Sequence, residues 1–142
     1  MDVLSVLSTS RLVPVVVLDD ACVASSLAGA LVAGGLPIAE VTFRTAAAQD
    51  AIRAMVDRGD ILVGAGTVLN ATQVDQAVAA GARYVVSPGL SRSVVERCQE
   101  LNVLALPGAV TATEIQAALE LGLTTVKFFP CLLYTSPSPR DS

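Results

Sequence analysis

Short apolar runs rich in β-branched residues alternate along the chain with longer alanine-rich segments, in which apolar positions recur at helical spacing. The apolar runs typical of strands span residues 13–18, 38–42, 61–63, 84–87, 103–106 and 125–128. The segments typical of helices span residues 21–33, 46–58, 71–80, 92–100 and 112–121. Because the strands begin about 20 to 25 residues apart, the pattern predicts a strand–helix unit that is repeated along the chain.

Strands that are apolar throughout and alternate with helices indicate a parallel sheet whose outer face is covered by those helices. Periodicity alone does not choose between a closed barrel and an open, doubly wound sheet. A (β/α)8 barrel usually has about 250 residues and rarely fewer than about 200. If the fold is a barrel, we expect this chain of 142 residues to be an incomplete one, with about six of the eight units.

The end of the chain departs from the repeat. Residues 131–142 are rich in serine and proline, and no helical segment follows the sixth strand. We therefore predict a partial barrel domain over residues 1–130. Residues 131–142 are interpreted as a tail that is disordered or foreign to the domain.

The composition excludes several classes of function. The longest strongly apolar run, residues 12–18, is far shorter than the roughly twenty residues of a membrane-spanning helix. The amino terminus lacks the basic, then continuously apolar pattern of a secretory signal, so we expect a cytoplasmic protein. A net charge of -4, with two tyrosines, three phenylalanines and no tryptophan for base stacking, argues against a nucleic-acid partner.

Histidine is absent from the sequence. Its absence removes the commonest metal ligand and the commonest general base, and it excludes a catalytic triad built on imidazole. Chemistry that depends on a metal held by imidazole ligands is therefore disfavoured.

Lys127 is the only lysine of the chain, and it lies near the end of the apolar sixth strand. Lysines normally occupy solvated surfaces, because burying an ammonium ion is costly. Burial favours the neutral amine, which attacks carbonyl groups to give a Schiff base. The alternative is a lysine at a strand end that is paired with a nearby carboxylate.

Glu40 is a carboxylate within the otherwise apolar second strand, and Arg44 follows at the same parity. Since the carboxyl ends of parallel strands form the ligand site of such sheets, Lys127 and Glu40 should converge there. Arg44 should share their face if the strand stays extended that far. Glu40 would then move protons, and Arg44 would hold a substrate carboxylate by paired hydrogen bonds. The alternative is a structural salt bridge between Glu40 and Arg44.

Glycines follow the middle strands, at Gly64 and Gly66 and again at Gly89. They would let the backbone approach a ligand, although such turns are also common without a ligand. Four motifs together resemble those of the 2-keto-3-deoxy-6-phosphogluconate (KDPG) and 4-hydroxy-2-oxoglutarate (KHG) aldolase family, in order and in approximate spacing, from about residue 12 to residue 130. They are Glu40-Val41-Thr42-Phe43-Arg44-Thr45, Gly64-Ala65-Gly66-Thr67-Val68, Ser87-Pro88-Gly89-Leu90 and Val126-Lys127-Phe128-Phe129-Pro130.

The resemblance implies a TIM-type (β/α)8 barrel, usually a homotrimer, that cleaves KDPG to pyruvate and glyceraldehyde 3-phosphate without a metal or an organic cofactor. Lys127 matches the Schiff-base lysine and Glu40 the general acid and base. Arg44 matches a residue that binds the pyruvate carboxylate, Thr67 and Pro88 line the same pocket, and Phe129 stands where an aromatic wall residue is expected.

Family members continue through a seventh and an eighth strand, whose loops are expected to hold the substrate phosphate. We therefore expect the isolated chain to be aggregation-prone and nearly inactive. Rival interpretations are an aldolase for KHG or for the galactonate epimer of KDPG, and a barrel fragment without catalytic function in which Lys127 is merely paired. Arg44 within its motif favours the gluconate branch.

Overall fold

A computed structural model describes residues 2–130, in which helices and strands alternate along the chain. The strands are β1 (Val15–Val16), β2 (Ile38–Thr42), β3 (Leu62–Gly66), β4 (Tyr84–Ser87), β5 (Leu104–Ala109) and β6 (Lys127–Phe128). The α-helices are α1 (Val3–Ser10), α2 (Ala24–Ala33), α3 (Ala48–Val56), α4 (Ala71–Ala79), α5 (Arg92–Glu100) and α6 (Ala112–Glu120), and a 3-10 turn (Ala21–Val23) precedes α2. The predicted tail at 131–142 lies outside the described residues, and the boundary at residue 130 stays a prediction.

The six strands form one sheet in which every strand is parallel to its neighbours and lies beside the next strand of the sequence. A doubly wound sheet reverses its strand order at a switch point, whereas this order is that of a barrel. Val15 of β1 and Lys127 of β6, on the two outer strands, line the same cavity, so the sheet curves round towards itself. The prediction of an α/β, barrel-type fold with six parallel strands is confirmed.

Side chains of the strands alternate between two cores, as the pleat of a strand requires. Ala39 and Val41 of β2 belong to the outer core, where the sheet packs against helix residues such as Ile52. Ile38 belongs to a smaller inner cluster together with Tyr84 and Val86. Even-numbered residues of β2 therefore face the inside of the curved sheet.

Helix α1 was not predicted from the sequence pattern. It contains no fully buried residue, and only one side of it, with Val3 and Leu7, packs against the inner cluster. Asp2 caps its first turn by accepting a hydrogen bond from the Ser5 backbone amide at 3.2 Å. Since Val13, Leu36 and Leu62 near the amino ends of the strands join the same cluster, α1 covers the end of the curved sheet opposite the strand carboxyl ends.

Three glycines on the inner face leave room for groups from neighbouring strands. A Cβ at Gly64 would overlap the Tyr84 ring, and one at Gly66 would lie 2.8 Å from the carboxyl carbon of Glu40. A Cβ at Gly108 of β5 would lie 2.5 Å from the carbonyl carbon of Pro88. These positions are therefore filled by protein, which differs from the expectation that Gly64 and Gly66 let the backbone approach a ligand.

We predict that Gly108→Ala lowers the free energy of unfolding by about 1–3 kcal/mol, because the added methyl meets a backbone carbonyl that cannot rotate away. Gly89→Ala is the matched control, since a Cβ there has no neighbour within 4 Å. Urea unfolding followed by circular dichroism measures both variants. Equal stability of the two variants would contradict this account of the β4–β5 contact.

Candidate active site

A cavity of about 160 Å³ opens at the carboxyl ends of the strands. Its lining consists of Val15, Glu40, Arg44, Thr67, Pro88, Lys127 and Phe129. The structure thus brings together all six residues singled out from the sequence. Val15 is the residue that sequence reasoning missed, because an apolar residue on a strand carries no chemical signal that separates a cavity wall from the core.

Glu40 projects from the middle of β2 into the inside of the sheet and is only 6% exposed. The missing side chain at Gly66 makes room for its carboxylate. Lys127 reaches the same cavity from β6, where it pairs in register with Gly108. It is half-buried rather than fully buried, because β6 is two residues long and its described neighbour is β5 alone.

Arg44 reaches the cavity by another route than the one expected. Strand β2 ends at Thr42, and Arg44 lies exposed in the turn that follows, so strand parity does not place it. The hydroxyl of Thr45, the next residue, donates a hydrogen bond to the carbonyl of Leu18. This bond ties the turn that carries Arg44 to the segment after β1.

Thr67 follows β3 directly and has a φ of 54°. A left-handed backbone costs an ordinary residue roughly 1–2 kcal/mol, and β-branched residues rarely adopt it. The next residue holds the turn, because the Val68 amide donates a hydrogen bond to the Val86 carbonyl at 3.1 Å. Strained backbone of this kind is found where a side chain has to be aimed, and here it accompanies Thr67 in the cavity lining.

The surroundings of Lys127 do not match a lysine held by a structural ion pair. Its amine lies 4.4 Å from the centroid of the Phe129 ring, a cation–π contact. Within residues 2–130, Lys127, Glu40 and Arg44 form no salt bridge within 4.0 Å, and the salt bridges present join other residues. Three charged side chains therefore line one small cavity without being paired to one another.

Burial raises the pKa of Glu40, and the positive charges of Lys127 and then Arg44 oppose that rise. A buried carboxyl group is costly to ionise, so protons bind to it more readily than to an exposed one. The nearby positive charges favour the ionised form, so both the protonated and the ionised form are accessible. Such a group can both accept and return a proton, which is the property required of a general acid and base.

A second cavity of about 420 Å³ adjoins the first inside the curved sheet. It also has Val15, Glu40 and Lys127 in its lining, and it extends to Leu4 and Leu7 of α1.

Among residues 2–130 there is no group of three or more Cys, Asp or Glu side chains placed to hold a metal ion. Over the same range, none of the helices combines the length and the apolar character needed to cross a bilayer.

Fold and site together define a class: a parallel, barrel-type α/β protein with a lysine–carboxylate pocket at the carboxyl ends of its strands. A family model described as KDPG and KHG aldolase matches residues 3–135. The chain is 50% identical over 124 residues to the 2-dehydro-3-deoxy-phosphogluconate aldolase of Treponema pallidum, a match that covers 87% of this chain and 59% of the relative. It is 42% identical over 127 residues to the KHG/KDPG aldolase of Escherichia coli K12, covering 89% of this chain and 60% of that one.

Among solved structures, the chain resembles the KDPG aldolase of Legionella pneumophila with pyruvate captured at low pH as a covalent carbinolamine intermediate. The TM-score is 0.85 at 37% identity, covering 91% of this chain and 63% of the other. The chain belongs to the KDPG and KHG aldolase family. It spans about three fifths of the length of the curated relatives named here.

The raised pKa of Glu40 predicts a pH-dependent effect on stability. A carboxyl whose pKa is raised in the folded state contributes stability below its unfolded value of 4.5, and this contribution is lost as the pH rises through the folded pKa. Glu40→Gln cannot ionise, so its melting temperature relative to the parent protein should rise as the pH increases above 4.5 and through the raised pKa of the folded state. Thermal unfolding across that range tests this, with the exposed Glu96→Gln on α5 as control. A difference that is flat with pH, or equal in the two variants, would sink the prediction.

Proposed function

We propose that this chain carries the carbonyl-capturing site of a class I aldolase, with Lys127 as the Schiff-base amine and Glu40 as the general acid and base. The observation that carries the proposal is that one cavity contains the only lysine of the sequence, an exposed arginine and the buried carboxylate of Glu40, which forms no salt bridge with any of residues 2–130. Its volume of about 160 Å³ is below the roughly 300–1,000 Å³ of pockets for drug-sized ligands, and it suits a small keto acid.

The chemistry follows from these groups. Glu40 takes a proton from the ammonium group of Lys127, and the neutral amine adds to the keto carbon of the substrate. Glu40 then returns this proton, and the resulting carbinolamine loses water to give a protonated imine. For KDPG, Glu40 then takes the proton of the hydroxyl on the carbon beyond the methylene group. The carbon–carbon bond breaks, glyceraldehyde 3-phosphate leaves, and the bonding electrons are held as the enamine of pyruvate. Protonation of that enamine and hydrolysis of the imine release pyruvate and restore the amine.

Arg44 and the aromatic wall complete the site in this proposal. The guanidinium of Arg44 holds the substrate carboxylate, the group that every 2-keto acid shares. Phe129, whose ring lies 4.4 Å from the amine, forms an apolar wall beside the reacting carbon. Thr67 and Pro88 bound the cavity on the sides of β3 and β4. The carbinolamine in the Legionella pneumophila relative supports capture of pyruvate by an amine in this family.

We propose KDPG as the main substrate, with KHG as the second candidate. The relative from Treponema pallidum carries the first activity in its name, and the one from Escherichia coli K12 carries both. The described residues supply the amine, the carboxylate and the arginine, and we assign to them recognition of the keto-acid half that KDPG and KHG share. A homotrimeric assembly and a cytoplasmic location remain part of the proposal.

Reduction with borohydride in the presence of pyruvate tests the central step. The imine on Lys127 should be reduced to a stable secondary amine, seen as a mass increase on the peptide that contains residue 127. Lys127→Arg keeps the positive charge but cannot form the imine, so its peptide should stay unlabelled. A labelled amino terminus with residue 127 unmodified would refute the proposal, and so would equal labelling of the Lys127→Arg variant.

Arg44→Leu should raise the pyruvate concentration needed for half-maximal labelling about tenfold or more, because a hydrogen bond to a charged group contributes roughly 1.5–3 kcal/mol. The maximal extent of labelling should change little, since the amine is untouched. Arg53→Leu on α3 is the matched control, because Arg53 is paired with Asp50 at 3.0 Å and does not line the cavity. An unchanged half-maximal concentration in Arg44→Leu would remove Arg44 from the site.

A further inference from the structure

Tyr84 makes an unusual contact for a residue of β4. Its side chain is 1% exposed, and its hydroxyl donates a hydrogen bond of 2.8 Å to the backbone carbonyl of Ala39 in β2. Strand β3 lies between β4 and β2. The ring therefore crosses β3 on the inner face of the sheet, and it can do so because Gly64 has no side chain beneath it.

Gly64 also connects Tyr84 to Glu40. It is the register partner of Glu40 on β2. Ala65 of β3 pairs with Val85 of β4. One residue earlier on each strand, Gly64 therefore lies opposite Tyr84. Glu40, Gly64 and Tyr84 thus form one row across three strands, and register partners point to the same face.

The side chains of Tyr84 and Glu40 lie over different glycines of β3. The Tyr84 ring lies over Gly64, while the Glu40 carboxylate lies over Gly66, two residues nearer the cavity. The ring therefore lies nearer the amino ends of the strands than the Glu40 carboxylate does. The Ala39 carbonyl that accepts the hydrogen bond from the Tyr84 hydroxyl belongs to the peptide bond between Ala39 and Glu40. Tyr84 is therefore bonded to the backbone from which the Glu40 side chain projects.

We propose that Tyr84 is the positioning residue of Glu40: its ring excludes water beneath the carboxylate, and its hydroxyl fixes the peptide from which Glu40 projects. This inference depends on the proposed function only for its effect on catalysis. The contacts themselves are independent of it.

The electrostatics of the pair agree with this geometry. Burial and then the charge of Glu40 raise the pKa of the Tyr84 hydroxyl, so Tyr84 stays neutral and acts as a donor. Burial is also the largest cause of the raised pKa of Glu40. If the ring supplies part of that burial, then a smaller side chain at position 84 should lower the pKa of Glu40. A tyrosine that merely filled the core would have no such effect.

Two substitutions separate the parts of the side chain. Tyr84→Phe removes the hydroxyl and keeps the ring, whereas Tyr84→Leu removes both. Val95→Ala is the matched control, because Val95 is fully buried in the outer core and away from the cavity. The reaction is the exchange of pyruvate methyl hydrogens for deuterium, which needs the imine on Lys127 and a base, and does not need a phosphate site.

We expect Tyr84→Phe to slow exchange about fivefold to tenfold per labelled lysine, because the Glu40 carboxylate is then misplaced. The pH at which the rate rises should not change, because the phenyl ring that remains still excludes water from the carboxylate. Tyr84→Leu should slow exchange and also move that rise to lower pH. Val95→Ala should lower stability alone. If both Tyr84 variants behave like Val95→Ala, with rate per labelled lysine and pH profile unchanged, the inference is wrong.

A carbon-13 titration of the Glu40 carboxyl by nuclear magnetic resonance keeps the two proposals apart. If the parent protein fails to be labelled at Lys127, the proposed function falls, and the titration still decides the role of Tyr84. A lower pKa of Glu40 in Tyr84→Leu than in the parent supports the positioning role. An unchanged pKa overturns it.

Discussion

The carboxylate of Glu40 lies inside the curved sheet, in space that exists because Gly66 has no side chain. Everything else at the site is arranged around that buried acid. It lines the same cavity as Lys127 and Arg44 but forms a salt bridge with neither of them. Their positive charges therefore stabilise its ionised form without a close ion pair. A carboxylate locked in a close ion pair would hold its proton poorly, whereas this one remains able to exchange protons with a ligand.

Much of this arrangement was accessible from the sequence, for identifiable reasons. A lone lysine and a lone glutamate in apolar strands are expensive to bury, so their presence in the pattern already indicates a role. Parallel strands bring their carboxyl ends to one edge, so residues far apart in sequence could be placed together. The strand bounds of β2 and β4 were predicted correctly, because both strands are apolar and β-branched along most of their length.

The errors have equally specific causes. Helix α1 was missed because only one side of it touches the protein, so no residue in it had to be fully buried. Strand parity was expected to place Arg44 beside Glu40 only if the strand stayed extended, and the chain turns after Thr42 instead. The turn is held by a hydrogen bond from the Thr45 side chain to a distant carbonyl, which leaves no local signal in the sequence. Tyr84 was not singled out, since nothing in the sequence reveals that its ring crosses a neighbouring strand over a glycine.

The site also depends on the curvature of the sheet, which only the assembled strands produce. Strands lie about 4.8 Å apart, so β2 and β6 would stand about 19 Å apart in a flat sheet, too far for Glu40 and Lys127 to line one cavity. Curving a sheet crowds its concave face, and here that face has glycine at three positions of β3 and β5. The space so released is taken up by the Tyr84 ring, the Glu40 carboxylate and the Pro88 carbonyl. The same three absent side chains therefore let the sheet bend and let the acid sit at its centre.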